Sequence, residues 1–271
     1  MPGQAPSRRL RVVSSEFIEF ATFANRLADA ARACIKESAD VAPEPISKGD
    51  GSPVTALDRA VEDRLRQLIC ETYPNHGIVG EERGAISADQ ELVWVIDPID
   101  GTLPFLAGFP VYGTLIALVR GDAPVLGIID MPATDERWLG CQGLRSTRNG
   151  KPVKTRACHA LSVALMSTSN PDFYRDSDRP ALERMQAATR WAVYGGSCMA
   201  YAQLASGRID VGIDVSFDPY DYLALVPVIT GAGGFITDWD GNPLTLRSGD
   251  RIIAAGDARI HSKSLAVLAG S

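Results

Sequence analysis

A layered αβαβα sandwich of the α/β (α+β) class is the fold this 271-residue sequence predicts, and three features of its patterning carry that expectation. Two amphipathic helical segments come first. After Gly77 the period changes to short β-prone runs cut by Gly, Pro and Asp. Beyond Lys154, strands and helices alternate to the end of the sequence. Two sheets with helices between and around them satisfy this order as one continuous domain over 1–271, with an N-terminal lobe of about residues 10–145 and a C-terminal lobe of about 146–271.

Phe17, Phe20, Ala21, Ala24, Leu27, Ala28, Ala31 and Ile35 recur at helical spacing, so the first helix runs to about Lys36. Pro43 to Pro53, rich in Pro, Gly, Ser and Asp, reads as a mobile loop. Thr55 starts a second helix carrying Val61, Leu65, Leu68 and Ile69, and Pro74 ends it. Ile78-Val79, Val93 to Ile96, Thr114 to Val119, Val125 to Ile129 and Trp138-Leu139 form a largely antiparallel sheet. A basic connection, Arg145 to Lys154, leads to strands near Val163 to Met166, Trp191 to Tyr194, Val211 to Ile213, Phe235-Ile236 and Ile252 to Ala255. Helices near Ala181 to Ala188, Ser197 to Ala205, Asp221 to Thr230 and from about Ser262 alternate with them.

Composition narrows the function classes. With 27 Lys+Arg against 33 Asp+Glu, the net charge of −6 argues against a nucleic-acid partner, which calls for clustered basic residues. No stretch approaches the roughly 20 apolar residues of a membrane helix. Arg8, Arg9 and Arg11 are followed by Ser14 and Ser15, not by the apolar core of a signal peptide. Five dispersed Cys without a CxxC fit a reducing cytoplasm.

Directly after Val93 to Ile96 stands Asp97-Pro98-Ile99-Asp100-Gly101-Thr102, two carboxylates at a strand exit. Gly80-Glu81-Glu82 closes another strand, and Asp218-Pro219-Tyr220-Asp221 opens a helix. Carboxylates are the donors hard divalent cations take, and strand ends that converge on one face would gather them. Each piece also has an ordinary reading: Asp-Pro and Asp-Gly are turn pairs, and Thr55-Ala56-Leu57-Asp58 is a capping box. Asp100-Gly101-Thr102 looks like the Asp-x-Asp-Gly-Thr loop of haloacid dehalogenase phosphatases, but the nucleophile's place is Pro98, which cannot form an aspartyl-phosphate.

Thr55-x-x-Asp58, Gly80-Glu81-Glu82, Asp97 to Thr102 and Asp221 with Gly231-Ala232-Gly233-Gly234 behind it resemble, in order and spacing, the inositol monophosphatase family. The resemblance implies a sandwich of the sugar-phosphatase type, a homodimer, and two or three Mg²⁺ held by Glu81, Asp97, Asp100, Asp221 and the Ile99 carbonyl, with Glu82 behind them. It implies that Asp58 and Thr102 orient and deprotonate the attacking water. Gly101 and Thr102 N–H groups suit a phosphate oxygen at a helix or turn start. The glycines from Gly231 lack the Lys and Ser/Thr of a phosphate loop and read as a tight turn into a strand.

Gly195 to Ala202, Ala205 to Asp210 and Pro219 to Ile229 look like the histidinol-phosphatase branch, with Tyr220 where inositol phosphatases carry Trp. Asp214, seven residues before Asp221, stands where the family has a substrate-touching Glu, and Ser197 where the branch commonly has Asp. The expected substrate is therefore a small phosphorylated metabolite, L-histidinol phosphate in histidine biosynthesis. The alternatives are inositol phosphate or another sugar or nucleotide phosphate, and a catalytically silent binding member of the fold. His76, His159, His261 and Cys198 read as structural.

Overall fold

The computed structural model describes residues 15–38, 44–49 and 53–270. Arg8, Arg9, Arg11, the start of the N-terminal lobe and parts of the Pro43 to Pro53 loop lie outside them. Helix α1 (Ser15–Glu37) buries the predicted stripe from Phe20 to Ile35. A small hairpin, β1 (Ile46–Ser47) with β2 (Pro53–Val54), occupies the described part of the loop. It leads into α2 (Ala56–Thr72), where Thr55 and Asp58 cap each other reciprocally as the sequence predicts.

The first sheet has eight strands: β3 (Gly77–Gly80), β4 (Gly84–Ile86), β5 (Leu92–Asp100), β6 (Gly113–Arg120), β7 (Ala123–Met131), β8 (Glu136–Cys141), β9 (Thr147–Arg148) and β10 (Lys151–Pro152), with the short helix α3 (Thr102–Leu106) after β5. All neighbours are antiparallel except β3 and β5. Alternate residues serve its two faces. Trp94, Ile96, Ile116, Leu118, Leu126 and Ile128 pack on α1 and α2, while Val93, Val95, Leu115, Ala117 and Ile129 face the second half of the chain.

That half comprises β11 (Leu165–Thr168), α4 (Arg179–Ala188), β12 (Trp191–Tyr194), α5 (Ser197–Ala205), β13 (Val211–Asp214), α6 (Pro219–Tyr222), α7 (Leu225–Gly231), β14 (Phe235–Asp238), β15 (Ile252–Ala255) and α8 (Ala258–Ala269). Its five strands run in the order β12-β11-β13-β15-β14. Leu204, Tyr222, Leu225 and Val228 of α5 to α7 share one core with the first sheet and with Ile252 and Ala254 of the second. The outer face of the second sheet packs on Leu182, Met185, Ile260 and Leu268 of α4 and α8. The layers are thus αβαβα.

Four boundaries differ from the sequence reading. Arg145 to Lys154 is not a plain connection: Asn149 and Gly150, both at positive φ, turn β9 into β10. The expected helix Asp221 to Thr230 is two helices, because Pro227 offers no N–H and its ring opposes the carbonyl four residues back, breaking the run at Leu223-Ala224. Helix α8 starts at Ala258, since Asp257 accepts the Arg259 N–H at 2.9 Å. Val163 belongs to a 3₁₀ turn before β11.

Candidate active site

A strand places residues three apart on opposite faces, so Asp97 and Asp100 could not share a site in a regular β5. Between them β5 uses three steps where β6 uses two: Asp97 lies opposite Leu115 and Asp100 opposite Gly113. The extra residue is a bulge at Pro98-Ile99, a place where proline's missing N–H is harmless. The Thr114 hydroxyl satisfies the Pro98 carbonyl at 2.8 Å. Carboxylate oxygens of Asp97, Asp100 and Asp221 consequently lie within 4.8 Å of one another.

One oxygen of each is anchored by a backbone N–H: Ile99 N–H to Asp97 Oδ1 at 3.0 Å, Cys198 N–H to Asp100 Oδ2 at 2.7 Å, Asp218 N–H to Asp221 Oδ2 at 2.7 Å. The second oxygen of each takes no N–H donor among the described residues. Burial first, then repulsion from Glu81, Asp100 and Asp221, pushes Asp97 well above the carboxylate range, and burial with repulsion from Asp100 does the same to Asp221. Glu81, at the end of β3, is raised by burial and contacts Asp97. The carboxylate oxygens of Asp97, Asp100 and Asp221, gathered this closely, fit a hard divalent ion such as Mg²⁺.

Lys48 Nζ lies 2.6 Å from Glu81 Oε1 and 2.6 Å from Glu82 Oε1. Burial works against its charge, yet the hydrogen bonds to both glutamates outweigh it and raise Lys48 above its ordinary value. Asp58 is buried at the start of α2, its Oδ2 accepting from the Thr55 N–H at 2.9 Å and from the Thr55 hydroxyl; burial raises its pKa. The Thr102 hydroxyl donates to the Ile99 carbonyl at 3.2 Å. Gly101, at φ +83°, caps α3, and a Cβ there would press on Ser197 Oγ at 2.7 Å. Ser197 itself sits at φ +44°.

From the carboxylates opens a cleft of about 470 Å³ to which both halves of the chain contribute. Glu81, Asp100, Gly101, Thr102, Ser197 and Asp221 line its inner end. Its outer wall is Leu103, Pro171, Phe173, Tyr194 and Phe217, with Ser169, Asn170 and Ser216 as polar points. Sequence reasoning missed this wall, because its residues come from a helix, a 3₁₀ turn, a strand end and a loop with no shared motif.

Asp214, expected against the substrate, lies behind that wall with 2% exposure. It accepts from Ser169 N–H at 2.7 Å, Thr168 Oγ1 at 3.0 Å and Tyr201 OH at 2.6 Å, while Phe217 packs on the Tyr201 ring. The carboxylate is one methylene shorter than Glu and is consumed in holding Ser169 and Tyr201. Burial, partly offset by those donors, pushes Asp214 up to about 6. In the unfolded chain it ionises near 4, so the folded state holds the proton longer; stability is full below about pH 4 and declines as pH rises towards 6, by up to about 3 kcal/mol. Asp214→Asn should remove this segment: in urea titrations the wild-type-minus-variant difference in stability changes between pH 4 and 7. Parallel curves would refute it.

Cys198, His76 and His261 are held within the fold. Cys198 is buried, its thiol raised by burial and by Asp100. His76 accepts from Trp94 Nε1 at 3.1 Å, and His261 is hydrogen-bonded to Thr237 at 2.9 Å. No helix among the described residues is long and apolar enough to cross a membrane.

A family model described as the inositol monophosphatase family matches residues 17–269. The chain belongs to that family. It is 41% identical over 260 residues to "Bifunctional phosphatase IMPL2, chloroplastic" of Arabidopsis thaliana, covering 93% of this chain and 75% of the relative. A histidinol-phosphatase of Mycobacterium tuberculosis is 34% identical over 72% of this chain and 77% of its own length. An inositol monophosphatase structure from Zymomonas mobilis superposes with a TM-score of 0.87 at 37% identity, covering 94% of this chain and all of that one. Inositol monophosphatase family members are metal-dependent phosphatases, and this chain is accordingly a hydrolase of phosphomonoesters.

Proposed function

We propose that this phosphatase uses Mg²⁺ and acts on L-histidinol phosphate, releasing L-histidinol and phosphate as a step of histidine biosynthesis in a thiol-reducing compartment such as the cytoplasm. The observation that carries the substrate is the lining of the cleft, which holds three aromatic side chains, Phe173, Tyr194 and Phe217, beside Leu103 and Pro171. A planar imidazole gains from such a wall, whereas a polyol wants a hydrogen-bond partner for each hydroxyl. Withdrawal of Asp214 from the cleft leaves fewer such partners. Relatives named as histidinol-phosphatases support the same reading.

Glu81, Asp97, Asp100 and Asp221, with the Ile99 carbonyl, would hold the metal, and Glu82 would steady Glu81 through their shared Lys48. Bound there, Mg²⁺ supplies Lewis acidity and neutralises charge on the phosphoryl group. Gly101 and Thr102 receive the phosphate oxygens at the start of α3, where N–H groups point outward. Ser197 lines the same end. Thr102 orients the attacking water and Asp58 takes its proton. The Asp58 carboxylate, raised by burial, is a better base than an exposed one.

A phosphate-release panel with Mg²⁺ tests the substrate: kcat/KM for L-histidinol phosphate should exceed that for inositol 1-phosphate, and parity would overturn the narrower reading. Tyr194 is fixed by Gln186, whose Nε2 donates to its hydroxyl at 2.9 Å. Tyr194→Ala should raise KM for histidinol phosphate about two- to tenfold, the worth of an aromatic contact, with inositol phosphate unaffected. An equal effect on both substrates would remove the stacking role.

A further inference from the structure

The Glu81-Glu82 turn is not self-supporting. It joins β3 to β4, and β4 (Gly84–Ile86) is an exposed edge strand. What fixes it comes from α2. Glu62, with 0% exposure, accepts the Glu82 N–H at 2.7 Å through Oε2 and the Arg83 N–H at 3.0 Å through Oε1. Arg66, one turn further along α2, donates from Nε to Glu62 Oε1 at 2.7 Å and from Nη2 to the Gly84 carbonyl. A Cβ at Gly80 would collide with Glu62 Oε1, so the absence of a side chain there lets the carboxylate approach the turn.

Asp58, Glu62 and Arg66 are spaced four apart and share one buried face of α2. A buried carboxylate is costly unless its oxygens are used, and here both are bonded to the segment that presents Glu81 and Glu82. We infer that Glu62 is a positioning residue for the metal site: through the Glu82 and Arg83 amides it sets where Glu81 stands, and so sets the affinity for Mg²⁺. The same helix then carries the water-deprotonating carboxylate and the clamp on the metal ligands, which ties the two halves of the site to one rigid element. This inference rests on Glu81 being a ligand.

Glu62→Gln and Glu62→Asp, compared with wild type, test it by thermal melts across a Mg²⁺ titration without substrate. The expected result is a Mg²⁺ midpoint raised about ten- to a hundredfold, the usual effect of losing a group that orients a ligand, with kcat at saturating Mg²⁺ changed far less. A lower melting temperature with an unchanged midpoint would make Glu62 merely structural and overturn the inference. Absence of any Mg²⁺ response in the wild type would instead strike the metal reading. Should neither variant fold, hydrogen exchange on the native metal-free chain decides: the Glu82 and Arg83 amides should be protected, and fast exchange at both would refute the clamp.

Discussion

Asp97→Asn should lower turnover at saturating Mg²⁺ by about a thousandfold or more, several kcal/mol of lost transition-state stabilisation, while making the metal-free protein more stable. The two effects share one cause. Asp97 is buried beside Glu81, Asp100 and Asp221, and burial and repulsion raise its pKa in the fold. A carboxyl whose folded pKa is raised favours the native state while protonated, so metal-free stability falls as pH rises past the ordinary carboxylate range. Each rise in pH that ionises Asp97 beside its neighbours therefore costs the metal-free wild type stability that the variant does not lose. Asparagine keeps an acceptor for the Ile99 N–H and removes the charge. Mg²⁺ stabilises the wild type by about 2.7 kcal/mol at a hundredfold excess over Kd, and the variant by much less. Melts of both proteins with and without Mg²⁺, beside phosphate-release rates, check this. Unchanged turnover, or a variant less stable than wild type in the absence of metal, would remove the carboxylate cluster from the mechanism.

The parts of this site that sequence discloses are those with local punctuation. Strand exits at Gly80-Glu81 and Asp100-Gly101, the helix start at Asp218-Pro219 and the reciprocal cap of Thr55 with Asp58 are short-range chemistry, and each carboxylate is visible where it stands; β5 continues through Asp97-Pro98, where the sequence reading ended it. The bulge at Pro98-Ile99 is less visible, yet a proline between two acids three apart is its signal. Glu62 and Arg66 look like an ordinary exposed helix pair at i, i+4; only the approach of Gly80 makes the pair buried. Asp214 shows the converse: its position along the chain says substrate, while its burial and its three donors are invisible there. Lys48 lies in a loop of turn-forming residues, and its pairing with Glu81 and Glu82 depends on how the β1–β2 hairpin packs. The Asn149-Gly150 hairpin was legible, since that dipeptide is the strongest short hairpin signal, but the basic residues around it read as a connection.

Asp58→Asn should reduce turnover about a hundred- to ten-thousandfold, the range for losing a general base, and leave the fold and its Mg²⁺ response close to wild type. Asp58 has two possible roles, capping α2 and accepting the water's proton, and this substitution separates them. Asparagine still offers an oxygen to the Thr55 N–H, so the cap survives, whereas its amide cannot take a proton. Asp58→Ala, by contrast, also loses the bonds to the Thr55 N–H and hydroxyl, the Asp58 half of the capping box. Thr102→Val keeps the shape of the side chain, removes its hydroxyl and frees the Ile99 carbonyl from it. If the two residues act as a unit on one water, the double variant Asp58→Asn with Thr102→Val should be little slower than the slower single variant. Fully multiplicative losses would mean independent roles, and near-wild-type turnover in Asp58→Asn would leave the carboxylate a cap alone. Asp58 is raised by burial, so the acid limb of kcat/KM should sit above the ordinary carboxylate range and vanish in the asparagine variant. A cap moves the melting temperature and leaves that limb in place; a base moves the limb and leaves the melting temperature.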